Sequence, residues 1–165
     1  MRREDPVRGF TLLETCCVLV IAGILAAVAG PKFLDTPAFD MRGYTDQLAA
    51  AIRASEAVAA ASGCEVQLTI SPGTGYNALL PATAATCSGP FTVAISQVDG
   101  TPLAGTPPSD ADVSTSVVLD FNPNGSIGGP APVANPSITV VGSPSGGSQP
   151  LTLQIDALSG FVTVP

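Results

Sequence analysis

The sequence predicts an α+β chain, with a long N-terminal helical region followed by a small antiparallel β domain. Three observations carry that expectation. Phe10 to Pro31 is an apolar run holding one charge, Glu14. From about residue 37 to residue 62, apolar side chains recur at three- and four-residue steps, the helical period. Beyond Gly63 the period drops to two, and 23 of residues 71–150 are Gly or Pro. That much turn chemistry breaks the remainder into short strands.

Composition narrows the function classes. A length of 165 residues suits one domain. With 45% of its residues hydrophobic and 12% charged, the chain is too apolar to be disordered. Histidine and tryptophan are absent. That removes Ser-His-Asp and Cys-His catalytic sets and every His-ligated metal site, and no cofactor is expected. The net charge is −7, and all six basic residues lie at or before Arg53. Residues 54–165 carry seven carboxylates and no cation, so this part is poorly suited to nucleic acid. With no His, no Lys after Lys32 and no G-x-S-x-G, an exported hydrolase is also disfavoured.

The first element is the apolar run. Residues 1–9, MRREDPVRG, are polar and hold three Arg. As a helix, residues 10–31 span roughly 33 Å, about the thickness of a bilayer's hydrocarbon core. The Arg-bearing end is expected to stay cytoplasmic, which sends the C-terminal part outward. Three readings fit the run. One is a secretory signal peptide cut after Ala27-Val28-Ala29, so that the mature chain starts at Gly30. A second is a plain membrane anchor. The third must account for Glu14, because an acidic residue in an apolar helix costs up to roughly 3 kcal/mol.

Gly9-Phe10-Thr11-Leu12-Leu13-Glu14, after a short basic leader and before an apolar helix, resembles the type III signal of type IV pilins and type II secretion pseudopilins. The resemblance implies a 1–9 leader removed by a prepilin peptidase on the cytoplasmic side. Gly9 would be the residue before the cut and Phe10 the N-methylated mature N-terminus. Glu14 would be the assembly carboxylate, pairing with the amine of a neighbouring Phe10 so that neither charge is desolvated alone. Pro31, at the end of the run, is expected to kink or interrupt the helix.

After Pro31 the pattern is amphipathic over residues 32–62. Met41, Tyr44, Leu48, Ile52, Ala54 or Ser55, and Val58 form the apolar stripe. Thr36-Pro37 suits an N-cap and first helical position, and Gly63 a stop. The β domain covers residues 63–165. Strands are expected at Val66–Ile70, Phe91–Ile95, Val117–Phe121, Ile138–Val141, Leu151–Ile155 and Phe161–Val164, with a weaker one near Tyr76–Leu80. Residues 99–112 and 142–150 read as flexible loops, and the last two strands as a hairpin. Phe91, Phe121 and Phe161 are expected to point inward.

The order of helix, alternating β domain, Leu119-Asp120-Phe121-Asn122-Pro123-Asn124-Gly125 and a terminal hairpin resembles H-type minor pseudopilins and minor pilins, including those of the mannose-sensitive haemagglutinin class. Two small antiparallel sheets in a sandwich are implied. The implied function is that of a structural subunit, a minor pilin or pseudopilin with no catalysis. It would be held in the inner membrane with its C-terminal domain periplasmic, then moved into a type IV pilus or a type II secretion pseudopilus. The implied partners are the prepilin peptidase, other pilins or pseudopilins, the inner-membrane assembly platform and the membrane itself. A tip-binding or adhesin module of the same filament is the alternative, as is an exported β domain with an ordinary signal peptide.

Cys16 and Cys17 lie in the apolar run and read as small packing residues. Cys64 and Cys87 lie in the exported part, where thiols oxidise, and a bridge between them would staple the helix exit to the loop before Phe91. Asp120, Asn122 and Asn124, with Gly125, match the start of a D-x-N-x-N-G calcium loop. The twelfth position is Ala131 rather than Glu. A polar turn after a strand is therefore the favoured reading, and calcium the weaker one.

Overall fold

The structure, a computed structural model, describes residues 11–29, 36–83, 85–128, 135–142 and 149–164. The chain divides into two compact units, Met1–Thr36 and Pro37–Pro165.

In the first unit, helix α1 runs Leu12–Ala29. Its apolar side chains lie open on every side, Leu13, Val18, Leu19, Val20, Ile21 and Leu25 among them. A helix apolar all round is built for an environment outside its own chain. Among the described residues no helix is long and apolar enough to cross a membrane. Of the expected span of residues 10–31, the described part is the 18 residues of α1, about 27 Å against a hydrocarbon core of about 30 Å. Phe10, Gly30 and Pro31 lie outside the described residues, as does the expected kink.

The second unit opens with helix α2, Thr36–Ser62. Its stripe is the expected one, extended by flanking small residues. Met41, Tyr44, Thr45, Leu48, Ala49, Ile52, Ser55 and Ala59 are buried. Inside the stripe, Thr45 and Ser55 turn their hydroxyls back onto the carbonyls of Met41 and Ala51, at 2.7 and 2.8 Å, so neither is left unsatisfied. Gly63 ends the helix at φ 69°, its N–H donating to the Ala59 carbonyl at 3.0 Å, a left-handed stop that glycine takes without penalty.

Two antiparallel sheets follow. The first is six-stranded. It contains β1 (Val66–Ser71), β2 (Gly75–Thr83), β3 (Ser88–Ala94), β4 (Ala104–Gly105), β6 (Val117–Phe121) and β7 (Ile127–Gly128). Its order is β3-β2-β1-β6-β7, and β4 pairs with β2. The second holds β5 (Ala111–Val113), β8 (Ser137–Gly142), β9 (Leu151–Ile155) and β10 (Val162–Thr163), in the order β10-β9-β8-β5. Alternation decides the faces: Val66, Leu68 and Ile70 are fully buried, opposite Phe121, Leu119 and Val117 of β6. These inner faces, Ile138, Val140, Leu153 and Ile155 of the second sheet, and the α2 stripe form one apolar core. The terminal hairpin forms as expected, Val162 opposite Ile155.

Two expectations are corrected and one is extended. The 99–112 segment is not simply a flexible loop, since it supplies β4 and the start of β5 and buries Leu103 and Ala111. Two- and three-residue strands leave too short an alternation to read. The strand near Tyr76–Leu80 is the nine-residue β2. Its register with β3 slips on either side of Pro81, which has no N–H to give the ladder. The three Phe do not all point inward. Phe121 is fully buried, Phe91 is half-buried on the edge strand β3, and Phe161 is exposed. Residues 143–148 of the second expected loop lie outside the described residues.

Candidate functional site

The residues singled out by sequence fall at three places. Gly9 and Phe10 lie outside the described residues. Glu14 sits in the first turn of α1. Thr11 caps that helix: its Oγ1 accepts the Glu14 N–H at 3.2 Å, and its carbonyl accepts the Thr15 N–H at 3.1 Å. Thr11-Leu12-Leu13-Glu14 is therefore half of a T-x-x-E capping box, a signal present in the sequence and missed there. It changes the cost argument for Glu14. A carboxylate in the first turn faces the positive end of the helix dipole, worth about 0.3–1 kcal/mol, which offsets part of its penalty in an apolar run. Cys16 and Cys17, one turn on, are free and exposed.

Cys64 and Cys87 are bonded to each other. The bridge joins the exit of α2 to the turn that opens β3, as the sequence reading expects. Cys87 is held at φ 50°, a left-handed conformation that an L side chain adopts at a cost.

The Asp120–Gly125 stretch ends β6 and turns into β7. Asp120 accepts from Gln67 Nε2 at 2.9 Å, pinning β6 to β1. Asn124 Oδ1 accepts both the N–H and the hydroxyl of Ser126, at 3.0 and 2.7 Å. The Asn122 amide donates to Ser126 Oγ at 3.1 Å. The side chains thus serve a hairpin turn. Among the described residues no group of three or more acidic, Cys or His side chains converges on a point.

That turn meets two other elements, a junction with no sequence signal. Ile127 N–H donates to the Ala157 carbonyl at 2.8 Å. A Cβ on Gly160 (φ 67°) would stand 2.9 Å from the Gly125 carbonyl oxygen and 3.0 Å from Glu56 Cδ. Only glycine fits there, so α2, the β6–β7 turn and the β9–β10 turn close on one another. Asp156 organises the last of these: its Oδ1 accepts from the Leu158 and Ser159 N–H groups and the Ser159 hydroxyl, at 2.9–3.0 Å. The Ser159 hydroxyl and N–H and the Leu158 N–H hold the Asp156 carboxyl below its ordinary pKa.

One buried polar group stands apart. The Tyr44 hydroxyl is enclosed and has no hydrogen-bond partner among the described residues. Burial, then the nearby Asp112 carboxylate and Tyr76, push its pKa up to about 12. Asp112 is already engaged, accepting the Gly73 and Val113 N–H groups at 2.8 Å each. It ties the β1–β2 turn to β5 and is not set up as a base for Tyr44.

Comparison with known proteins adds sequence likeness to this geometry. The family described as "Type II transport protein GspH" matches residues 44–159. The "Type IV narrow pilus major component PilA5" of Thermus thermophilus is 44% identical over 52 residues, 32% of this chain and 45% of that protein. The chain thus spans under half the length of the curated relative it matches. Among solved structures, the type IV minor pilin FimU of Pseudomonas aeruginosa (strain PAO1) is similar, with a TM-score of 0.49 and 17% identity over 75% of this chain and 91% of that one.

Proposed function

The chain belongs to the type II transport protein GspH family, whose match spans well over half of it, and is a pilin-like subunit of the minor pilin and pseudopilin kind; from that premise we propose that it works by assembly and not by catalysis. In this reading the whole apolar run of residues 10–31, of which α1 is the described part, first anchors the chain in the inner membrane, with residues 1–9 cytoplasmic and the unit after Thr36 in the periplasm. Prepilin peptidase cuts after Gly9 and methylates Phe10. The assembly platform then moves the subunit into a filament, where α1 joins a bundle of like helices and the acidic β domain stays outside. The filament is a type IV pilus or a type II secretion pseudopilus.

The supporting observation is α1 itself. It is apolar on all sides, capped by Thr11, and carries its one carboxylate, Glu14, in the first turn. Outside a membrane that surface needs other apolar helices around it. Inside such a bundle Glu14 needs a cation, and the new amine of a neighbour four residues upstream supplies one. The charge pair therefore sets the axial stagger between subunits.

Two measurements test this. The mass of the mature protein, made in a host with a prepilin peptidase, should correspond to a chain starting at N-methylated Phe10. A chain starting at Gly30 would mean an ordinary signal peptide and no role for Glu14. Glu14→Gln should then be processed and remain in the membrane but be poorly recovered in sheared filaments. Normal recovery would remove Glu14 from assembly.

A further inference from the structure

The junction of α2 with the β6–β7 and β9–β10 turns gathers hydrogen-bond acceptors, and the donors around it are committed elsewhere. A Cβ on Gly160 would stand 2.9 Å from the Gly125 carbonyl oxygen and 3.2 Å from Glu56 Oε2. A Cβ on Gly125 would stand 3.6 Å from Glu56 Oε1 and 3.8 Å from the Ser159 carbonyl oxygen. Four oxygens from three elements thus crowd the space that the two glycines leave. The Gly125 N–H donates to the Asn122 carbonyl at 3.0 Å, and the Gly160 N–H to the Asp156 carbonyl at 2.8 Å. The Ser126 and Ser159 N–H groups go to Asn124 Oδ1 and Asp156 Oδ1, at 3.0 and 2.9 Å. Both serine hydroxyls go to those same two oxygens, and the Phe161 N–H goes to Ser159 Oγ at 3.4 Å. Arg53, the last cation of the chain, is one turn before Glu56, and its guanidinium donates to the Val162 carbonyl at 3.5 Å. Acceptors packed together with no donor between them repel one another. Residues 54–165 carry seven carboxylates and no cation that could relieve this.

We propose that these oxygens bind a calcium ion, with the half-buried Glu56 carboxylate as the charged ligand and the Gly125 and Ser159 carbonyls as neutral ones. A donor set made only of oxygen selects a hard cation. Calcium accepts roughly six to eight oxygens at about 2.3–2.6 Å in adjustable geometry, so water on the exposed side of Glu56 can complete its shell. Magnesium needs a near-ideal octahedron at about 2.0–2.1 Å, which a helix and two turns fixed by their own hydrogen bonds are poorly placed to supply. A single carboxylate implies weak affinity, on the order of 10⁻⁴–10⁻³ M, the range of extracellular calcium modules. The ion would tie α2 to both turns through charge. This site is distinct from a D-x-N-x-N-G loop at Asp120, Asn122 and Asn124. Those side chains serve Gln67 and Ser126, and Glu56 and Ser159 lie outside that motif. The site does not rest on the filament reading, because every ligand belongs to one chain.

The test uses the full chain in detergent, stripped of metal with EDTA and dialysed. Equilibrium dialysis against CaCl2 should give one ion per chain. CaCl2 at about 10 mM, roughly 10–100 times the expected Kd, should raise Tm by about 5–10 °C. MgCl2 at the same concentration should raise it by less than about half as much. Glu56→Gln should weaken calcium binding at least about tenfold and remove the calcium-dependent rise. The Gln amide also brings a donor to the two carbonyls, so without metal this variant should melt no lower than the native chain without metal. A merely structural loss at Glu56 would lower it. Asp120→Asn should keep the calcium response. No calcium bound by the native chain at about 10 mM would overturn the proposal, as would unchanged binding in Glu56→Gln. Equal rises with calcium and magnesium would assign the effect to screening of the carboxylates and overturn it as well. A response lost in Asp120→Asn would move the ion to the side chains of the β6–β7 turn, with the same consequence.

Discussion

Removing the Cys64–Cys87 bridge should destabilise the Pro37–Pro165 unit without changing its fold. The two cysteines are 23 residues apart, and the loop-entropy relation gives about 3.4 kcal/mol for a loop of that length. A unit of this size unfolds with an entropy of about 270 cal/mol/K, at roughly 2.1 cal/mol/K per residue. The corresponding fall in Tm is about 12 °C. The assay is calorimetry on residues 37–165, comparing the native unit with Cys64→Ala/Cys87→Ala, and repeating the native scan in reductant. The reduced native unit and the double variant should melt together, because the effect belongs to the cross-link and not to either side chain. A fall under about 3 °C in both, less than about 1 kcal/mol, would refute the loop-closure argument. It would mean that the core alone fixes the chain between α2 and β3.

Cys64→Ala/Cys87→Gly should recover about 1 kcal/mol relative to the Ala pair, since glycine carries no penalty in the left-handed region where residue 87 sits at φ 50°; equal melting would show that residue 87 relaxes once the bridge is gone. Tyr44→Phe should raise stability by about 1 kcal/mol in urea titration, because it deletes a buried hydroxyl with no partner. The same variant should change the alkaline limb. With the folded pKa raised from 10.0 to about 12, the Tyr44 contribution is complete below pH 10 and is lost as pH rises toward 12, because the unfolded chain ionises first. That part of the fall should vanish in the Phe variant, and Tyr76, also raised by burial, should keep a smaller one. Gly75→Ala should cost about 2–3 kcal/mol. Residue 75 is at φ 88°, and a Cβ there would collide with the Gly105 carbonyl across the β2–β4 pair; an unchanged urea midpoint would contradict it.

What could be read from the sequence was whatever a single element encodes by itself. The α2 stripe repeats often enough to set its own phase, and β1, β6, β8 and β9 each alternate over five or six residues. β4, β5 and β7 are two or three residues long; partners across the sheet specify them, and no local period does. Phe161 misled for a related reason. Hydrophobicity alone predicts burial, but the turn preceding it is set by Asp156 and Gly160, which aim it outward.

The same division separates Glu14 from the Glu56–Gly125–Gly160 junction. Glu14 was legible because a carboxylate in an apolar run violates the local rule, and violations of local consistency mark function. Its cap, T-x-x-E, is an equally local signal, one that the sequence reading missed. The junction obeys every local rule. Glu56 is an ordinary carboxylate on a helix, and Gly125 and Gly160 are ordinary glycines of two turns. Their oxygens come together only when Gly160 lets the last turn close against Glu56. A subunit built this way separates its tasks along the chain. In the proposed assembly the N-terminal segment would carry the charge signal that sets axial register, and it can be read one residue at a time. The globular unit depends instead on the packing of α2 against the β6–β7 and β9–β10 turns. Substitutions in the first should therefore abolish assembly with the globular fold intact. Substitutions that loosen the Glu56–Gly125–Gly160 junction should destabilise the globular unit while processing and membrane insertion proceed. Gly160→Ala, read by Tm and by the mass of the mature N-terminus, separates the two. Loss of processing in that variant would show that the tasks are coupled.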